Sequence, residues 1–361
     1  MHSFYGIKNT IRVSNIFLIT DSLKKNGWGE FTSSSAVILS RDKKKSIYII
    51  SRTNHERSFP SNVKVLRLYN TLIIDVILIN IYHLIFKPIS IHFCSEKVFE
   101  ICKFYNHKNI IQTIHGTYGY LFEKKFKKIS HKIKTVTFDS IFTKNKFKNL
   151  FKNVRSKMIY PLSNFYLENE HNDVIQKNRK HILFIGNSKK RKGLEVLLKA
   201  YEKITNRYND INLVLVGNFD KKHSELFSKN QRIEVFSGIS NNHLIKLIRS
   251  SIVNVLPSIN IEIDNHLHFE GFGLVHIESN ILGTPTIGSH DCGNTDIIDN
   301  NFNGFLVDQN NYDQLFIALC TIIDKFVQND FMYIKNSLSI RNKFSSNDFY
   351  LKINSAYQYE K

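Results

Sequence analysis

The stretch FEGFGLVHIESNILGTPTIGS, from Phe269 to Ser289, reads as a loop, a helix and a strand in close succession. Gly271 and Gly273 remove side chains just ahead of an apolar face formed by Leu274, Val275, Ile277, Ile281 and Leu282. Gly283 closes that helix, and Pro285 follows it. The amides of Gly273, Leu274 and Val275 open the helix without intrahelical acceptors, so an anion placed there gains about 0.5 to 2 kcal/mol from the helix dipole. A phosphate suits the position. Glu270 stands on the loop before the glycines and Glu278 about one turn into the helix. One carboxylate is thereby directed to the sugar end of a bound ligand and the other to hydroxyls farther along.

Working outward, the same alternation of apolar strand and amphipathic helix fills the chain. Ahead of Tyr160 the strand runs are NIFLIT (Asn15 to Thr20), SIYIIS (Ser46 to Ser51), VKVLRL (Val63 to Leu68), ISIHF (Ile89 to Phe93), NIIQTI (Asn109 to Ile114) and KTVTF (Lys134 to Phe138). After it come HILFIG (His181 to Gly186), NLVLVG (Asn212 to Gly217), RIEVFS (Arg232 to Ser237), VNVLPS (Val253 to Ser258), TPTIGS (Thr284 to Ser289) and NGFLVD (Asn303 to Asp308). Continuous apolar strands alternating with helices predict an α/β protein with two doubly wound, Rossmann-like parallel-sheet domains. Between the two sets, Tyr160 to Lys180 loses periodicity and serves as the linker. The expected division is 1–165, 166–340 and a C-terminal helix, 341–361, crossing back to the first domain. Ligands of such sheets bind beyond the carboxyl ends of the strands, which places a site in the cleft between the domains.

Composition excludes several classes. With 361 residues, 42% of them apolar and 22% charged, the chain is neither disordered nor collagenous. The four cysteines form no ligand-spaced set with histidine and no metal site is expected. The first 15 residues lack the apolar middle of a signal peptide, and a reducing cytoplasm is expected. The longest apolar run, Thr71 to Phe86, carries Asp75 and His83 and falls short of the roughly 18 to 20 residues of a membrane span. It reads as a buried helix.

The net charge of +19 is confined to one half. Residues 1–180 hold 31 Lys/Arg against 12 Asp/Glu, whereas the remainder holds 19 of each. A bias of base composition would act on both halves, so the asymmetry asks for an anionic partner at the first domain. Within it, KKFKKISHKIK, beginning at Lys124, places Phe126, Ile129 and Ile133 at helical spacing among lysines. One reading is an interfacial helix with Lys124, Lys125, Lys127 and Lys128 on anionic lipid and the Phe and Ile inserted; the other is a surface helix whose stripe faces the core.

The Phe269–Ser289 stretch resembles the Glu, seven residues, Glu signature of family-4 glycosyltransferases of the bacterial surface-polysaccharide type, which have the GT-B fold. IGNSKKRKGLEVLLKAYEKI (Ile185 to Ile204) resembles the opening of that family's second domain, with Lys192 and Gly193 at its Lys-Gly. NGWGEFTSS (Asn26 to Ser35) and TIHGTYG (Thr113 to Gly119) extend the likeness to the first domain. The resemblance implies retaining, metal-independent transfer of a hexose-type sugar from a nucleotide-diphosphate sugar, UDP- or GDP-linked, to a hydroxyl of a glycan acceptor. It makes Glu270 and His115 the catalytic candidates. On the donor side it places Lys192, Gly271, Phe272, Gly273, Leu274, Glu278, Gly186 and Gly238, and at an acceptor or phosphate loop Gly29.

The donor is the substrate, and no separate cofactor is implied. The residues agree with metal independence, since no Asp-x-Asp occurs and the leaving diphosphate must be met by Lys192 and helix amides.

Two positions depart from the family. Gly186-Asn187 stands where Gly-Arg is usual after the second domain's first strand, leaving Lys189, Lys190 or Arg191 to substitute, and INIEIDNHLHF (Ile259 to Phe269) lengthens the approach to the glutamate motif. Thr117, Tyr118 and Tyr120 are candidates to line the cleft.

A lipid-linked glycan acceptor would account for charge confined to the acceptor side. The protein is then expected in the cytoplasm, peripheral on the inner face of the plasma membrane. Two rivals stay open. A basic nucleic-acid-binding protein fits the charge, but no zinc finger, RNP motif or basic-region heptad occurs, and no nucleic-acid partner is expected. The other is a non-catalytic GT-B subunit that binds nucleotide sugar or scaffolds a partner enzyme.

Overall fold

The computed structural model describes residues 14–53, 57–116, 123–171, 176 and 178–358. Thr117, Tyr118 and Tyr120 lie outside the described residues. The first sheet contains β1 (Ser14–Thr20), β2 (Lys45–Ser51), β3 (Val63–Arg67), β4 (Ser90–Phe93), β5 (Ile110–Ile114), β6 (Thr135–Phe138) and β7 (Arg155–Met158). They lie in the order β3-β2-β1-β4-β5-β6-β7, and every neighbouring pair is parallel.

The second sheet contains β8 (His181–Ile185), β9 (Asn212–Val216), β10 (Ile233–Phe236), β11 (Ser251–Val255), β14 (Thr286–Ser289) and β15 (Gly304–Val307). Its order is β10-β9-β8-β11-β14-β15, again parallel. The strand order reverses between β1 and β4 in one sheet and between β8 and β11 in the other, which opens a crevice at the carboxyl ends of both. The extra residues before Glu270 form a hairpin of β12 (Ile261–Ile263) and β13 (His266–His268), with Asp264 and Asn265 both at positive φ in the two-residue turn.

Sequence explains most of this. Central strands such as β1, β5 and β11 are buried on both faces, which only continuous apolar runs with a few hydrogen-bonded polar residues allow. β7, reading RSKM, is half-exposed at the sheet edge and lacks that signature. The segment expected as linker includes a short helix, Asn164–Asn169, started by Ser163 Oγ accepting from the Tyr166 amide. It buries Phe165 and Tyr166 in a core shared by both domains.

The C-terminal helix, Ser346–Tyr357, packs on the Gly27–Leu39 helix of the first domain, with Phe349 edge-on to Phe31. Tyr357 Oη bonds His92 Nδ1 at 2.8 Å, His92 Nε2 bonds Thr113 Oγ1 at 2.6 Å, and Thr113 bonds Thr137 at 2.6 Å, a buried polar chain across three strands. Burial lowers His92 to about 3, with His115 adding to the effect, so the ring is neutral there.

Two expectations about helices are corrected. The segment read as a buried helix, Leu72–Phe86, buries only Asp75 and Ile79, while Ile73 and Leu84 are 72% and 73% exposed. It covers one face of the first sheet, and nothing among the described residues covers its outer side. The basic helix is Glu123–Ile129, and Phe126, Ile129 and Ile133 sit in the core at 7% exposure or less. They pack against Phe99, Phe147 and Phe151 and do not insert elsewhere; Lys124, Lys125, Lys127 and Lys128 remain on the surface.

Tyr357→Phe leaves the buried His92 nitrogen without its partner and should cost about 1 to 3 kcal/mol. Urea unfolding followed by fluorescence checks this; an unchanged midpoint and slope would contradict the anchoring role of the polar chain.

Candidate functional site

The loop after β11 and the turn after β8 meet at Glu270. Lys190–Lys192 forms a 3-10 turn that ends at Gly193, whose φ of 69° and contact with the Pro257 carbonyl admit no side chain. Ile259 N donates to Arg191 O at 2.8 Å, fixing the turn to the loop that leads into the hairpin. Arg191 Nη1 and Lys192 Nζ then reach Glu270 Oε2 at 2.5 and 2.7 Å, and Ser258 Oγ lies at 3.4 Å. Lys189 and Lys190 are exposed, so of the three candidate substitutes for the missing arginine it is Arg191 that joins Lys192 at the carboxylate. Burial alone would raise the Glu270 carboxyl; Lys192 and then Arg191 outweigh it and hold the group below its ordinary value.

The residues from Gly271 to Gly273 lie against the first domain. A Cβ on Gly271 would fall 2.0 Å from the His115 carbonyl and 2.9 Å from Asp139 Oδ2, so any larger residue would force the domains apart. Thr143 Oγ1 donates to the Gly271 carbonyl at 3.3 Å, and the Ile141 amide donates across to Asp296 Oδ2 at 2.7 Å. Phe272 is buried against Tyr160. Gly273 caps the Leu274–Asn280 helix, which is shorter than the sequence pattern implied because residues 281–283 leave it as a turn. Gly186 ends the strand that precedes the cationic turn, and Gly238 follows β10 farther along the same edge. Gly29 lies in the first turn of the Gly27–Leu39 helix, its amide already bonded to Asn26 Oδ1.

His115 ends β5. Its Nε2 lies 2.9 Å from the Cys94 carbonyl, its amide donates to Glu96 Oε1 at 2.7 Å, and its ring meets Phe31 edge-on. Burial lowers His115 to about 4, against the opposing Cys94 contact, so the imidazole is neutral at pH 7 and Nε2 carries the proton. Nδ1 faces Asp139 Oδ2 at 3.8 Å. Burial pushes Asp139 well above the usual carboxylate range and Glu96 up to about 7.

Sequence reading missed Glu96, Asp139 and Ser163, because each acts through a neighbour distant in the chain. It also passed over His276, which is fully buried beside Gly273 with neither ring nitrogen bonded among the described residues.

Glu278 faces the first domain, where Ser163 Oγ donates to its Oε1. Burial raises its carboxyl to about 8; the Ser163 bond opposes this and Glu30 adds to it. Glu30 accepts from the Asn164 amide at 3.1 Å and pairs with Arg57. The arrangement sets two cations and a glycine loop at one end of a short helix, with two carboxylates of opposite character at either side. An anion with hydroxyls on both flanks matches it.

Residues 167–329 match the model of the family Glycosyl transferases group 1. An uncharacterized glycosyltransferase of Methanocaldococcus jannaschii is 31% identical over 146 residues, 39% of this chain and 35% of that one. The capsular polysaccharide biosynthesis glycosyltransferase CapM of Staphylococcus aureus is 24% identical over 210 residues, 55% of this chain and 50% of its own. This chain thus spans a third to a half of the length of the curated relatives it matches. A variant of TarM from S. aureus, solved with fondaparinux, α-GlcNAc-glycerol and UDP, superposes with a TM-score of 0.76 at 13% identity, covering 96% of this chain and all of the other. The fold is GT-B, and the group 1 glycosyl transferase match covers most of its second domain.

The folded Glu278 titrates near 8 and an unfolded glutamate near 4.5. Its contribution to stability is therefore full below about pH 4.5 and lost as pH rises through 8. Between pH 5 and 8.5 the melting temperature of the wild type should fall by about 5 °C more than that of Glu278→Gln. Parallel curves in differential scanning fluorimetry would contradict the raised carboxyl.

Proposed function

We propose that the chain is a retaining glycosyltransferase that moves a hexose from a UDP- or GDP-linked donor to a hydroxyl of a lipid-linked glycan in cell-surface polysaccharide synthesis. The observation that carries this reading is the largely buried Glu270 carboxylate, held by Arg191 and Lys192 beside a glycine loop. The capsular function in the name of CapM and the UDP and α-GlcNAc-glycerol in the TarM complex support a UDP donor and a hydroxyl acceptor.

In this reading the donor diphosphate takes Arg191 and Lys192, together with the amides from Gly271 to Leu274. Glu270 turns to the sugar hydroxyls, and Glu278 exchanges Ser163 for the ribose. His115, held neutral, contacts the sugar from the first domain. The bond between the anomeric carbon and the diphosphate oxygen breaks while the acceptor oxygen attaches on the same face, and the acceptor proton passes to the departing phosphate oxygen. Two cations and fixed amides meet the developing charge, which is the largest single source of rate enhancement in such sites. No resident metal enters. The protein works at the inner face of the plasma membrane, where Lys124, Lys125, Lys127 and Lys128 attract anionic lipid.

Screening purified protein against UDP-, GDP- and ADP-sugars tests the activity directly, and a chelator should leave the rate unchanged. Glu270→Gln should lower transfer at least ~100-fold while UDP still binds. Undiminished transfer would reject the reading, and nucleotide-sugar binding without any turnover would favour a non-catalytic subunit. Lys192→Ala removes a charged contact of about 1.5 to 3 kcal/mol, so the donor dissociation constant should rise about 10- to 100-fold by calorimetry.

A further inference from the structure

The Leu72–Phe86 helix has two apolar faces, and the core uses one. Asp75 is buried on the inner side, where Arg52 Nε donates to it at 2.8 Å and the Tyr69 amide donates at 2.8 Å. Ile79 is buried beside it, and His83 bonds Tyr105. These contacts fix the rotation of the helix. Its outer side then presents Ile73, Ile77, Ile81, Leu84 and Ile85, spaced four, four, three and one apart and 44% to 73% exposed. Five large aliphatic side chains in one stripe make a patch of a kind that marks an interaction site on soluble proteins.

The surroundings of the stripe are basic. Exposed Lys87 caps the helix in the left-handed conformation, and the neighbouring 3-10 segment, Glu96–Phe104, ends in exposed Lys103 and Phe104 with the ammonium 5.2 Å from the ring. Lys132 Nζ donates to the Lys103 carbonyl at 2.9 Å, tying that segment to the basic stretch that follows Lys124. The apolar stripe, the 3-10 segment and the lysines of the Glu123–Ile129 helix therefore lie on the same face of the first sheet, over one core.

We propose that this face docks on an anionic lipid bilayer, with the Leu72–Phe86 helix lying in the interface and its outer aliphatic stripe inserted below the headgroups. This rests on the reading of a lipid-linked acceptor and reassigns the inserted element from the Glu123–Ile129 helix, whose apolar residues the core uses. Charge selects the occupant. A second copy of a chain carrying +19 would be repelled, whereas an anionic surface is attracted to the half that holds the whole excess. Shallow insertion of aliphatic side chains adds affinity that lysines alone do not give, and it binds the helix in the plane without spanning. No helix among the described residues is long and apolar enough to cross a membrane.

The test is co-sedimentation of the full chain with vesicles of phosphatidylcholine alone and of phosphatidylcholine with phosphatidylglycerol, alongside light scattering for oligomeric state. The wild type should bind the anionic vesicles and not the neutral ones. The triple variant Ile73→Ser, Ile77→Ser, Leu84→Ser should bind at least tenfold more weakly with every lysine intact, while an unchanged melting temperature and UDP affinity show that it is folded. Equal binding by the variant would overturn the inserted helix and leave the lipid-linked acceptor standing. No binding by the wild type would remove both, while the donor screen still decides the transferase reading. A wild-type dimer that the triple variant dissociates, with vesicle binding unchanged, would assign the stripe to a second copy and overturn the proposal.

Discussion

One largely buried carboxylate between two cations organises the cleft. Glu270 is taken out of water on a loop, and its charge is tolerable there only because Arg191 and Lys192 reach it from a turn that Gly193 and the loop after β11 hold in place. Removing either cation leaves the carboxylate a single partner, and removing the carboxylate leaves two cations facing each other. The backbone is built around the same point. The Gly293 amide donates to the Glu270 carbonyl at 2.9 Å, so the segment after β14 also depends on where this loop sits.

The glycines of that loop set how closely the domains approach. Gly271 touches the end of β5 at His115, and a Cβ on Gly116 opposite would fall 3.2 Å from the Gly271 Cα. The domains are held in this arrangement by Asp296 accepting from the Ile141 amide, by Thr143 on the Gly271 carbonyl and by Ser163 on Glu278. Each of the three is a single hydrogen bond donated from the first domain to the second, weak enough to exchange for a ligand's own hydroxyls. The C-terminal helix, anchored through Tyr357 and His92, carries the chain back to the first domain and couples the two halves covalently at a second point.

How much was legible follows from what each signal measures. Apolar runs located twelve strands of the two sheets, the central ones because burial on both faces leaves no other composition. β7 escaped because an edge strand need not be apolar, and the β12–β13 hairpin because its three-residue strands are too short for a period. Glu270, Glu278, Lys192 and the glycines were readable from their order and spacing. Arg191 was only one of three basic neighbours until the 3-10 turn fixed its direction. Ser163, Glu96 and Asp139 act across distances in sequence that no local pattern carries.

Two helices make the same physical point: one read as buried lies half outside, and one left open between lipid and core turns to the core. Apolar spacing in KKFKKISHKIK is identical whether the stripe meets core or lipid, and a helix apolar all round gives no preferred face at all. Only packing separates the cases: Phe126 fills the core beside Phe99, while Ile73 and Leu84 stay outside. The central claim, that a nucleoside diphosphate sugar is bound at the Glu270 loop, is tested most directly by a crystal structure of the complex with a UDP-hexose. The account predicts the diphosphate on Arg191, Lys192 and the amides from Gly271 to Leu274, with the ribose at Glu278. A ligand lodged elsewhere, with Glu270 still paired to both cations, would contradict it.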